Sequence, residues 1–345
     1  MQTKVAFIVP YFGRFPRNFQ LWLNSCAWNT DFYWLVFTDD RTCYNYPKNV
    51  SITYLTFEKM QKILQSRFDF AIDLSSSYKL CDFKPAYGEI FSNWLSEFDF
   101  WGYCDIDLVW GDLEKWINDT SLATVDRVSE WGHCSLFRNN KRINSLYRNS
   151  VEGVVDYRKV FSSDCNYLFD EAGGCQKIFS SSSISTLSIP IYDVKADEKL
   201  FMPTCATTPF VEGTCKNVVF EISDGHVYMV CSENGSVKRQ EFAYVHMAKR
   251  EMNIEIDNEC SSYLLVPNKY ITSKKLTLER LKALQPKYSW YPQYKWKGIK
   301  GKIKVLLGKN KVKWPNSRLQ RISDIIHGKH YEKKYLFPFN NSTNI

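Results

Sequence analysis

Two aspartates, Asp105 and Asp107, stand one residue apart just after the aromatic run Phe98–Tyr103. In an extended chain residues i and i+2 point to the same side, so both carboxylates can face one cation. Carboxylate oxygens suit hard ions such as Mn2+ or Mg2+, and an ion held there would grip a diphosphate in turn. The competing reading is a strand-end loop carrying two solvated acids. His246 is the second metal candidate. It lies in Tyr244-Val-His-Met-Ala-Lys-Arg, one imidazole at a strand end followed by the cations Lys249 and Arg250, which suit a phosphate group. Against this, a lone strand histidine is commonly a hydrogen-bonded core residue. His133, in Trp131-Gly-His-Cys, either bonds a ligand hydroxyl or phosphate or is a plain buried strand residue.

These residues need elements to position them. Val5–Pro10 is a continuous apolar run, a buried strand that ends at Tyr11-Phe-Gly. The spacing of residues 19, 22, 23, 26 and 27 predicts a helix over Phe19–Trp28. Tyr33–Asp40 reads as a second strand closing on Asp39 and Asp40, and Ser51–Phe57 alternates as a third. Pro85 is expected to open a helix running to Phe98, with Lys84 held extended before it. The aromatic strand then leads into Asp105. Strand–helix alternation of this kind predicts an α/β fold, a sheet with helices on both faces. Ligands bind such sheets at the carboxyl ends of the strands, which here carry Tyr11, Asp39, Asp40, Asp105 and Asp107. Further on, a hairpin should turn at Asn234-Gly235, followed by a last strand over Glu241–Met247.

Composition bounds the rest. The chain has 345 residues, 44% hydrophobic and 24% charged, which excludes wholesale disorder. Aromatics reach 16%, with 11 Trp, enough for a large core and for rings lining a pocket or a membrane-facing rim. No stretch approaches the roughly 18–20 apolar residues of a membrane span. Eleven scattered cysteines without a C-x-x-C pair fit a reduced cytoplasmic compartment better than a disulfide scaffold or a zinc site. Phosphate-loop, dinucleotide, nucleophile-elbow and H-E-x-x-H motifs do not occur.

Charge divides the chain. Residues 286–345 carry 14 Lys/Arg against two acids, a net of +12, and the first 285 carry 31 basic and 35 acidic residues, a net of −4. We expect a catalytic domain over 1–285 and a basic, aromatic-rich extension over 286–345. Trp290, Tyr291, Tyr294 and Trp296 interleaved with lysines suit an anionic membrane surface. A solvated basic tail is the plainer reading. Nucleic acid is not expected as a partner, because no nucleic-acid module accompanies the tail.

The segment from Tyr78-Lys-Leu-Cys-Asp-Phe-Lys-Pro through Tyr103-Cys-Asp-Ile-Asp-Leu-Val-Trp-Gly-Asp resembles GT-A glycosyltransferases. It is similar in layout to bacterial enzymes of capsule and lipopolysaccharide synthesis related to families 8 and 32. The resemblance covers roughly residues 4–250. It implies a GT-A-type, Rossmann-like mixed sheet and transfer of a sugar from a nucleotide-diphospho-sugar, a UDP-sugar first, to a saccharide or lipid-linked saccharide. Asp105 and Asp107 would hold the metal and His246 would complete its shell. Asp82 and Lys84 would approach the donor sugar and nucleotide, and Tyr11 and Asp39 the nucleoside. Lys-Pro replaces the family's common Arg-Tyr pair, and its Gly-Gly before the aromatic strand is missing, which leaves the donor open.

An inverting transferase needs a carboxylate base on the acceptor side, and a retaining one a group beside the anomeric carbon. Asp170 and Glu171 are the candidates, with a helix cap or surface acid as the alternative. The expected function is thus a metal-dependent hexosyltransferase of bacterial surface polysaccharide synthesis, cytoplasmic and peripheral on the inner membrane face. A nucleotidyl- or phosphotransferase and a non-catalytic carbohydrate-binding protein are the rival readings.

Overall fold

The computed structural model describes residues 2–287 apart from 197, 212 and 213. Strands β1 (Val5–Tyr11), β2 (Phe32–Thr38), β3 (Val50–Tyr54) and β4 (Phe100–Cys104) are parallel in the order β3-β2-β1-β4. Past β4 the sheet turns antiparallel through β7 (Cys134–Arg138) and β6 (Arg127–Trp131), and β8 (Thr186–Leu187) closes that edge. The result is a mixed, Rossmann-like sheet of seven strands in an α/β fold.

Alternation along β1 explains the two layers of helices. Val5, Phe7 and Val9 pack with Phe19 and Trp22 of helix α1 (Phe19–Ala27) on one face. Ala6 and Ile8 pack with Met60 and Leu64 of helix α2 (Phe57–Gln65) on the other. A strand buried on both faces reads as a continuous apolar run, which is why β1 was visible in the sequence. Helix α2 starts at Thr56, whose side chain accepts from the Lys59 amide.

The helix expected from Pro85 to Phe98 is instead a string of short pieces. A 3-10 turn at Ser77–Lys79 runs into helix α3 (Leu80–Phe83), a second 3-10 turn at Lys84–Ala86 and helix α4 (Tyr87–Ile90). Lys84 is helical (φ −47°, ψ −45°), not extended, because Pro85 sits inside an ongoing helical turn and does not begin one. Gly88 lies under Trp101, where an added Cβ would meet the indole ring at 2.4 Å, so this piece packs its backbone directly on β4.

Two further sheets complete the described residues. One has three strands: β5 (Leu108–Trp110) pairs antiparallel with β13 (Tyr244–His246), which pairs parallel with β9 (Ile191–Asp193). The other comprises β10 (Lys216–Ser223), β11 (His226–Glu233), β12 (Ser236–Phe242), β14 (Asn253–Ile254), β15 (Tyr263–Val266) and β16 (Lys269–Thr272). Their order is β12-β11-β10-β15-β16-β14. Its hairpin turns at Asn234-Gly235 as expected, with φ of 49° and 78°, the left-handed pair that such a turn demands. The expected last strand over 241–247 splits at Ala243, so that β12 stays in this sheet and β13 leaves for the other.

Among the described residues the aromatics lie mainly in the core. Trp22, Trp34, Trp101 and Trp110 are fully buried, and Phe7 stacks on Trp34 at 5.5 Å between centroids. Burying one such ring contributes about 1.5–3 kcal/mol. Among the described residues, exposed rings such as Trp28 and Tyr78 remain available to a ligand. All eleven cysteines are free thiols. Among the described residues no helix is long and apolar enough to cross a membrane. The basic extension lies outside the described residues from 288 onward.

Candidate metal and diphosphate site

Asp105 and Asp107 occupy the step between two sheets. β4 ends at Cys104 in the large sheet and β5 begins at Leu108 in the small one, so the pair lies in the bend connecting them. The antiparallel register of β4 and β7 sets Cys104 opposite Cys134, and the Asp105 amide then donates to His133 O at 2.8 Å. In the small sheet, His246 lies opposite Leu108 on one side and opposite Asp193 on the other. Strand register therefore brings His246 to Asp107, 139 positions earlier in the chain.

His246 Nε2 is 3.4 Å from Asp107 Oδ1, and Nδ1 is 2.6 Å from Asp193 Oδ1. One ligand atom each from Asp105, Asp107 and His246 falls within 4.8 Å of the others, the spread a single ion can collect. Two carboxylates and an imidazole make a donor set suited to Mn2+ or Mg2+. Burial works against both charged groups, yet their mutual attraction wins. His246 is pushed up to about 10 by Asp107 and Asp193, and Asp107 is held well below the usual carboxylate range by His246 and the Lys249 amide.

Lys249 follows Ala248 with both residues at positive φ, 60° and 51°. Left-handed backbone costs about 1–2 kcal/mol per non-glycine residue. The turn it makes delivers the Lys249 amide to Asp107 Oδ2, while the Lys249 ammonium reaches the Tyr78 hydroxyl at 3.0 Å and lies 4.5 Å over its ring. An exposed cation thus stands at the rim of the acidic pair. Arg250 turns away, its guanidinium buried on the carbonyls of Lys195, Glu198 and Lys199.

Lys84 is buried behind Asp105. Its ammonium lies 2.8 Å from Asp105 Oδ1 and 3.1 Å from Asp170 Oδ2, and donates to Gly132 O at 2.6 Å. Burial disfavours its charge, but Asp105 and Asp170 overcome that and hold Lys84 well above its ordinary value. Lys84 is therefore a counter-ion inside the site wall, and its direct approach to a donor sugar is not what the geometry provides.

Asp82 departs further from the donor-side expectation. Its carboxylate is fully buried and accepts from Lys79 Nζ at 2.7 Å and from the amides of Tyr167 and Phe169, both at 2.8 Å. It fastens the 166–170 loop under the site. Asp82 and Lys84 are close in sequence and both buried, but their partners separate their roles.

Asp170 is also buried, and its Oδ1 has no hydrogen-bond partner. Glu171 is exposed beside Gly132, where an added Cβ would meet its carboxyl carbon at 2.7 Å. Tyr11 is half-buried. Burial raises its hydroxyl, with Asp107 and Asp40 adding to the rise. Asp39 is exposed and accepts from the Gly13 amide at 2.7 Å, tying the loops after β1 and β2. His133 is buried against Tyr244, with Nε2 3.1 Å from the hydroxyl, and stacks on His246 at 4.1 Å between centroids. Burial, then the His246 charge, holds His133 well below its ordinary value, so it stands as a neutral wall.

Asp193 was missed in the sequence. The signal was there in Ile189-Pro-Ile-Tyr-Asp, another apolar run closing on an acid, as in β2 and β4.

Comparison with known proteins gives a family but no activity. A family model described as "Family of unknown function (DUF6625)" matches residues 7–274. No curated protein matches the chain. Among solved structures, a galactosyltransferase, LgtC, crystallised with donor and acceptor sugar analogs, is similar at 12% identity. The match covers 55% of this chain and 76% of that one with a TM-score of 0.28, too slight a likeness to carry function.

Proposed function

The chain belongs to the family of unknown function DUF6625, and from its site we propose that it is a metal-dependent glycosyltransferase using a nucleotide-diphospho-sugar. The observation that carries this reading is the convergence of Asp105, Asp107 and His246 at the carboxyl end of β4. An ion bound there supplies positive charge where a departing diphosphate develops negative charge.

Each remaining residue has a place in that reading. Asp105 and Asp107 hold the ion from one side and His246 from the other. Lys84 fixes Asp105, and the Lys249 amide fixes Asp107. The Lys249 ammonium, exposed at the rim, offers the diphosphate a second cation. Tyr11 and Asp39, at the ends of the first two strands, face the nucleoside. Glu171 is the exposed carboxylate for the acceptor or anomeric side, and buried Asp170 serves to hold Lys84. The strained turn at Ala248-Lys249 supports the assignment, because strain persists where a site needs a particular backbone path.

A UDP-sugar is the first donor to test and a saccharide or lipid-linked saccharide the first acceptor, in keeping with bacterial surface polysaccharide synthesis. The same carboxylates would serve a nucleotidyltransferase, so the test separates the two. Purified protein with Mn2+ should release nucleoside diphosphate from a nucleotide sugar in the presence of mixed saccharide acceptors. Release of pyrophosphate from a nucleoside triphosphate, with nucleotide sugars untouched, would overturn the assignment.

A further inference from the structure

Among the described residues, His246 belongs to two clusters of groups able to ligate a metal. One is Asp105, Asp107 and His246; the other is His133, Asp193 and His246. We propose that only the first holds an ion, and that Asp193 is a positioning residue that orients His246 toward it. This rests on the metal-dependent reading above.

The distances separate the two clusters. Ligand atoms about 2.0–2.2 Å from one ion, at tetrahedral or octahedral angles, stand roughly 3 Å or more apart. His246 Nε2 and Asp107 Oδ1 are 3.4 Å apart, room for an ion between them. His246 Nδ1 and Asp193 Oδ1 are 2.6 Å apart, a charge-assisted hydrogen bond with no room for one. His133 has its Nε2 engaged with the Tyr244 hydroxyl at 3.1 Å, so it could offer such an ion only Nδ1.

Asp193 is itself fixed. Its Oδ2 accepts from Thr204 Oγ1 at 2.6 Å, and its amide donates to Thr207 Oγ1 at 2.7 Å. Pairing of β9 with β13 sets Asp193 directly opposite His246. The carboxylate therefore accepts the hydrogen bond of Nδ1–H, which leaves Nε2 as the ligand nitrogen on the Asp107 side. The His133 ring, stacked at 4.1 Å and 17°, stops the imidazole from tilting off that line. Carboxylate–histidine–metal arrangements of this kind raise the basicity of the ligand and lock its orientation.

The experiment is titration of the full-length protein with Mn2+ followed by electron paramagnetic resonance, for wild type and Asp193→Asn, with Thr204→Val as a milder second variant. Wild type should bind one Mn2+ per chain and show nitrogen hyperfine coupling from His246. Asp193→Asn should bind Mn2+ about 10–100-fold more weakly, the usual range for loss of such a partner, with the nitrogen coupling reduced. Thr204→Val should shift affinity in the same direction by less, without loss of fold. Two Mn2+ per wild-type chain, falling to one in Asp193→Asn, would overturn the proposal in favour of a second metal site. Unchanged affinity and coupling in both variants would overturn it as well. If wild type binds no Mn2+, the metal-dependent reading itself fails, and Asp193 fails with it.

Discussion

The Lys84 ammonium lies 2.8 Å from Asp105 Oδ1, so the first acid of the pair already has a buried cation behind it. A second carboxylate, Asp170, shares the same ammonium at 3.1 Å. Removing one partner of a buried ion pair costs about 3–5 kcal/mol, because the remaining charge is stranded. Lys84→Met should therefore lower stability by that order in urea unfolding, contrary to the mild effect expected of an exposed donor-binding lysine. Adding Asp170→Asn should recover part of the loss, and strictly additive effects would contradict the shared arrangement.

Asp82 leads to a different outcome. Asp82→Ala strands Lys79, which is equally buried, and frees the amides of Tyr167 and Phe169. Its expected signature is a loss of about 3–5 kcal/mol in stability with Mn2+ affinity unchanged in the folded fraction. Full stability together with weakened nucleotide-sugar binding would return Asp82 to the donor side.

Acidity offers a third check. Burial pushes Asp170 up to about 7; Lys84 pulls the other way, while Glu171 and Asp105 add to the rise. The folded state thus keeps a proton that the unfolded chain sheds near its ordinary value of 3.8. This group favours folding fully below that ordinary value, and the contribution is lost as pH rises through about 7. Asp170→Asn cannot ionise, so its melting temperature relative to wild type should climb between about pH 4 and 7 and level off above. A flat difference across that range would show that Asp170 is ionised throughout.

The basic extension is a proposal of its own. Each lysine near an anionic bilayer contributes roughly 1 kcal/mol. Replacing Lys295, Lys297, Lys300, Lys302 and Lys304 with Gln in the full chain should weaken binding to anionic vesicles by about 100-fold or more. Binding that ignores both these changes and added salt would reject membrane docking.

The legible parts of the molecule were those governed by local rules. β1, β2, β4 and α1 read close to where they lie because a buried strand must be largely apolar and an amphipathic helix must keep its spacing. β3, read by alternation to Phe57, instead stops at Tyr54, and Phe57 opens α2. Asn234-Gly235 was visible because few residues accept its dihedral angles. The expected helix at Pro85 failed because the apolar spacing there is shared by short helical pieces, and contact with β4 decides where they break. In the site, Asp105, Asp107 and His246 were readable as types at strand ends, but Asp193 was not singled out, because its partner is set by pairing of β9 with β13 across 53 positions. Burial was the other hidden quantity. It makes Asp82, expected on the donor side, and Asp170, expected as a catalytic carboxylate, internal supports, and nothing in their neighbours' identities announced it.

The account stands most directly on whether Asp107 carries an ion that grips a diphosphate. The measurement is calorimetric titration of UDP, GDP and ADP into wild type and Asp107→Asn, each with Mn2+ and with chelator. At least one nucleotide should bind wild type only when Mn2+ is present, and bind Asp107→Asn at least about 10-fold more weakly at an unchanged melting temperature. Binding of equal strength with chelator, or undiminished in Asp107→Asn, would contradict it.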